Sequence, residues 1–111
     1  MSVLFTEEQA WLVSNWISRG FFEDCLPHLE RAPLLAGEIR FCMDAGVDTL
    51  DLRDKGRAEL QELRSLVEWV IRDNELSRGR NFHSPEQFPL YELKLKELAA
   101  LNEQMLDDPL P

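Results

Sequence analysis

The chain has 111 residues, with 21 acids against 12 bases, a net charge of −9, and 44% hydrophobic residues. No apolar run approaches the ~18 residues that span a bilayer, and the carboxylate surplus opposes nucleic acid, whose phosphates require clustered Lys and Arg. Gly and Pro are too scarce for a low-complexity or collagen-like chain, so one soluble domain over residues 1–111 is expected.

Taken in chain order, helical signals dominate. Thr6 reads as an N-cap and Gln9 completes a capping box, with Glu7 and Glu8 in the first turn, where the helix dipole favours anions. Ala10, Val13, Trp16 and Ile17 form the apolar stripe of this first helix, and Gly20 is its stop. Residues 21–31 are apolar enough to be buried, but Pro27 limits them to a short helix or a few turns. Pro33 suits the first position of a second helix carrying Leu34, Leu35, Ile39, Phe41, Cys42 and Met43, with Gly46 as its C-cap. Residues 47–56 form a polar connector whose Leu50 and Leu52 tuck under the bundle. Leu60, Leu63, Leu66, Val67, Val70 and Ile71 carry the spacing of a core-facing helix from about Arg57 to Asn74.

A loop follows over residues 77–88. Ser84-Pro85-Glu86-Gln87 is a second cap, opening a last helix with Tyr91, Leu95, Leu98, Leu101 and Met105. No segment sustains two-residue alternation, so no substantial sheet is expected. The predicted class is all-α: a compact bundle of four or five mostly antiparallel helices.

The charge is uneven. Residues 1–52 hold nine acids and three bases, residues 53–80 six and seven, and residues 81–111 six and two. A face shared by the first and last helices would be strongly negative, suited either to solubility or to steering a cationic partner. At 100° per residue, Trp11 sits roughly 160° and Trp69 roughly 140° from the centres of their helix stripes. Both are candidates for a partner or self-association surface, since Trp is enriched at binding hot spots.

Motifs of metal or catalytic chemistry nearly appear. Asp51, Gly56 and Glu62 occupy the first, sixth and twelfth places of a calcium loop, but Arg53 and Lys55 stand where oxygen ligands belong. Cys25 and His28 are three apart, with Pro27 between them and no second ligand pair at zinc spacing. A nucleophilic Cys25 would need His28 or His83 within hydrogen-bond reach. Cys25 and Cys42 are expected to be buried thiols. Arg78-Gly79-Arg80 is a small basic spot, and no glycine-rich phosphate cradle exists. No metal, cofactor or catalytic residue is expected.

In size, acidity, helicity and lack of a signal or catalytic motif, the chain resembles small acidic bacterial immunity proteins. That resemblance implies a cytoplasmic inhibitor binding one-to-one to a cationic toxin, a nuclease for instance, and occluding its active site. The candidate contact residues are Glu7, Glu8, Asp48, Asp51 and Asp54, which would pair with partner Lys or Arg. Trp11 is the candidate apolar anchor, with Trp69 as a second. The alternatives are a self-associating adaptor, which forms a homodimer through Trp69 or the last helix, and an acidic mimic of nucleic acid encoded by a phage.

Overall fold

A computed structural model describes residues 2–47, 49–77 and 85–107. Strands β1 (Ser2–Leu4) and β2 (Ala10–Leu12) are followed by α1 (Asn15–Cys25). A 3-10 segment (Leu26–Arg31) leads into α2 (Pro33–Ala45), and strand β3 (Thr49–Asp51) precedes α3 (Arg57–Ser77). A short 3-10 turn (Pro85–Gln87) opens α4 (Phe88–Asp107). Helix thus dominates the described residues, as expected, but the all-α class does not hold. The three strands form a mixed sheet in the order β2-β1-β3.

The error lies in residues 2–12. Thr6 Oγ1 accepts hydrogen bonds from the Glu8 and Gln9 amides, at 3.1 and 2.9 Å. The bond to the amide three residues on is the one an N-cap makes, but here it closes a turn. The Phe5 and Thr6 amides donate back to the Gln9 carbonyl, and the chain reverses into an antiparallel hairpin with Val3 opposite Trp11. Val3, Phe5 and Trp11 point into the core while Leu12 points to solvent. Strands of three residues are too short for that two-residue period to show. β1 also pairs in parallel with β3, Val3 opposite Leu50, and the Leu52 amide extends the ladder to the Leu4 carbonyl at 2.8 Å. Leu50 and Leu52 are buried, as their apolarity suggested.

The first helix therefore starts at Asn15 instead of near Thr6, and Gly20 lies inside it. A Cβ on Gly20 would make ordinary van der Waals contact with the Tyr91 ring, at 3.5 Å, which places this turn of α1 against α4. Ile17, Phe21, Phe22 and Cys25 form its buried side. Pro33 begins α2 and Gly46 ends it in the left-handed conformation at φ 69°, which glycine adopts without a Cβ penalty.

α3 and α4 lie antiparallel. Asn102 near the end of α4 donates to the Leu60 carbonyl early in α3, and Arg57 reaches the Leu106 carbonyl. An Arg64–Glu103 ion pair of 2.7 Å lies on the same seam. One buried cluster draws on every strand and α-helix, from Val3 to Leu106. Among the described residues, no helix is long and apolar enough to cross a membrane.

α2 has no side-chain cap of its own. Instead Glu62 of α3 accepts the Leu34 amide at 3.0 Å and the Leu35 amide at 3.1 Å. A carboxylate there satisfies orphan donors and meets the positive end of the helix dipole. Glu62→Ala is expected to lower stability by about 1 kcal/mol, in the range of a lost N-cap, measurable as a shift of the urea midpoint. Glu62→Gln should recover part of it, since an amide oxygen still accepts. No shift for either variant would show that water caps α2 equally well.

Candidate interaction face

The parallel pairing of β1 and β3 sets the loops after them side by side. Glu7 and Glu8 occupy the turn after β1, Asp51 ends β3, and Asp54 lies in the following turn. Four of the expected contact acids, distant in sequence, thus meet at one end of the sheet. Asp48 lies outside the described residues.

Arg53 organises this end. Its guanidinium donates to both oxygens of Asp51, at 3.0 and 2.9 Å, and to Glu7 at 3.0 Å. The Arg53 amide also donates to Asp51. These hydrogen bonds, with the positive charges of Arg53 and Lys55, hold the Asp51 carboxyl at about 2, well below its usual range. The same pairing pushes the Arg53 guanidinium up. Glu7 remains largely exposed. Glu8 and Asp54 are exposed and have no ion-pair partner among the described residues. An open groove beside them is lined by Thr6, Glu7, Glu8, Gln9, Gln104 and Met105.

Asp51 carries a sign-definite prediction. Its folded-state pKa is depressed, so its contribution is present above the unfolded value near 4 and is lost as pH falls through about 2. NMR titration of the carboxyl carbon should show that low midpoint in the wild type. Arg53→Gln should return it toward the ordinary carboxylate range. An unchanged midpoint in the variant would mean that Arg53 does not hold the group.

Trp11 does not join this face. The expectation of an exposed anchor assumed a helix through residue 11. On β2 the side chain turns inward, and only 2% of its surface is accessible. Its ring meets Phe21 edge-on at 5.7 Å, and its indole N–H donates to the Lys94 carbonyl at 2.8 Å.

Trp69 is half-buried and stands twelve residues into α3, about 18 Å along the helix from the acidic loops. His28 stacks on it with ring centroids 5.4 Å apart, and the Arg31 guanidinium lies 4.0 Å from its ring centroid. Arg31 can only donate, so His28 Nδ1 accepts its bond and Nε2–H donates to Asp73 at 2.6 Å. Both imidazole nitrogens are thereby engaged in fixing the 3-10 segment to α3. Cys25 is fully buried, and burial followed by the Asp24 charge pushes its thiol up. It stays protonated, and a Cys25–His28 pair does not form. His83 and the Arg78-Gly79-Arg80 spot lie outside the described residues.

The residues of the imperfect calcium loop have other partners: Lys55 pairs with Glu38 at 2.7 Å, while Arg53 and Glu62 act as described above. Both cysteines are buried and are not joined in a disulfide.

Three features of the structure carry little or no signal in the sequence. Arg53 as the centre of the acidic end had no local signal beyond its alternation with Asp51 and Asp54. The buried Asp24–Tyr91–Asn74 contact joins three helices and has no sequence pattern. Leu34 and Phe41 lie off the buried stripe of α2 and are exposed, which their apolarity does not announce. Comparison with protein-family models, with curated proteins and with solved structures found no match.

Proposed function

We propose that this chain is an inhibitory protein-binding module that uses its acidic sheet end to hold a cationic protein. A cytoplasmic immunity protein that occludes the active site of a basic toxin is the specific form of that reading. One observation carries it: the loops after β1 and β3, far apart in sequence, converge at one end of the sheet, where a single guanidinium binds Glu7 and Asp51 and where Glu8 and Asp54 stand exposed. Arg53 neutralises part of that charge and stiffens it, leaving Glu8 and Asp54 free to meet partner Lys or Arg. Carboxylates held in place at a surface steer association and select partner sign more than they add affinity.

Self-association through Trp69 is less favoured, because His28 and Arg31 already cover much of that ring. Affinity purification of the tagged chain from its source cells should recover a basic protein in equal stoichiometry, with its activity suppressed. The double variant Glu8→Lys, Asp54→Lys should lose that protein and release the activity. Recovery of the chain alone would sink the reading.

A further inference from the structure

Among the described residues, nothing covers the outer side of α2. On α2, Leu35, Ala36, Ile39 and Cys42 face the core. On the opposite side Leu34, Phe41 and Ala45 lie within about 40° of one another, given 100° per residue. Leu34 and Phe41 are 51% and 62% exposed. Between them stands Gly37, at the i, i+3, i+7 spacing by which one helix receives another. Gly37 has no reason in this chain to be glycine. It lies inside the helix, its φ is not positive, and a Cβ there would meet nothing within 4 Å. Glycine is the least favourable helix residue after proline, so the sequence accepts a weaker helix to keep an open notch between two exposed apolar side chains.

The shoulders of this stripe are acidic. Glu38 borders one side and Asp44 the other. Glu38 is tied to Lys55, in the same loop as Asp54, so the stripe runs on into the acidic sheet end. Asp44 and Asp54 have no ion-pair partner among the described residues, and Arg40 is the one cation of the exposed arc in the same condition.

We propose that the Leu34–Gly37–Phe41 face of α2 docks an amphipathic basic helix, whose apolar ridge enters the Gly37 notch while its Lys or Arg side chains meet Glu38, Asp44 and Asp54. The proposal rests on the cationic-partner reading and supplies the apolar anchor that buried Trp11 cannot. A surface of charge alone gives speed and sign selection, whereas an apolar knob seated in a notch gives residence time.

Two fluorescent peptides of equal charge test it: a leucine–lysine peptide that forms an amphipathic helix, and a glycine–lysine peptide that does not. The wild type should bind the leucine–lysine peptide at least about tenfold tighter. Phe41→Ser and Gly37→Gln should each remove most of that difference and leave glycine–lysine binding unchanged. Both positions are exposed, so the circular dichroism of the variants should match the wild type, and Gly37→Gln should melt higher. Equal affinity for the two peptides, or a preference that survives both substitutions, would overturn the proposal while leaving the cationic-partner reading intact. Glycine–lysine binding that is absent or indifferent to Glu8→Lys with Asp54→Lys would instead count against that reading. A dimer in sedimentation that Phe41→Ser dissolves would assign the face to a second copy and overturn the proposal.

Discussion

Trp11→Ala is expected to destabilise the protein by about 3–5 kcal/mol, the range for truncating a large buried aromatic. The side chain is 2% exposed, packs edge-on against Phe21, and links the hairpin to α4 through its indole N–H. Alanine removes the ring, leaves a cavity between sheet and helix, and deletes the only side-chain hydrogen bond described between β2 and α4. Trp11→Phe keeps most of the apolar volume and loses the N–H, so about 1–2 kcal/mol of the penalty should remain. Denaturant unfolding followed by circular dichroism separates the variants. A Trp11→Ala midpoint within error of the wild type would mean that the indole is a surface group, as its place on a helical wheel implied.

The second large effect belongs to Asp24. Tyr91 O–H donates to its carboxylate at 2.6 Å, and Asn74 donates to the same oxygen at 3.1 Å. This joins the end of α1 to both long helices beneath the surface. Asp24→Ala removes the carboxylate to which the Tyr91 hydroxyl donates, in a residue with no accessible surface, and halves the bonding of the Asn74 amide, which keeps the Val70 carbonyl. Leaving buried donors unmade costs more than the net worth of the bond, so a loss of about 2–4 kcal/mol is expected. Tyr91→Phe should cost less, about 1.5–3 kcal/mol, because the carboxylate retains Asn74. In a double-mutant cycle the pair should couple by at least about 1 kcal/mol; additivity would show that they act independently.

Burial and the Asp24 charge push the Tyr91 hydroxyl far up. Its contribution is thus complete below the ordinary tyrosine value near 10 and falls away as pH rises past it. Tyr91 is the sole tyrosine of the chain. The ultraviolet phenolate band should therefore stay silent in base until the chain unfolds.

What could be read from sequence divides by the range of the interactions. α3 declared itself, because Leu60, Leu63, Leu66, Val67 and Val70 repeat at helical spacing over 21 residues of continuous element. The ends of α2 were equally legible, since Pro33 and Gly46 act through their own backbone. Residues 2–12 misled for a physical reason: the Thr6–Gln9 bond serves a helix start and a tight reversal alike, and only tertiary pairing decides between them. Val3 meets Leu50 across 47 positions, so nothing near residue 3 announces the strand. The acidic residues were visible as types, while their convergence was not, because it depends on that same distant pairing. Trp69 was half legible: it does leave the main stripe, but His28 and Arg31 from the preceding 3-10 segment cover it.

The junction of β1 with β3 has a thermodynamic corollary. The two acidic loops face a common direction only while those strands are zipped, so a cation gripping both acts as a clasp on the sheet. Grip and zipper must reinforce each other reciprocally. Saturating the clasp should raise the melting temperature and slow amide exchange at Leu50 and Leu52, whereas prising the strands apart should loosen the grip by the same factor.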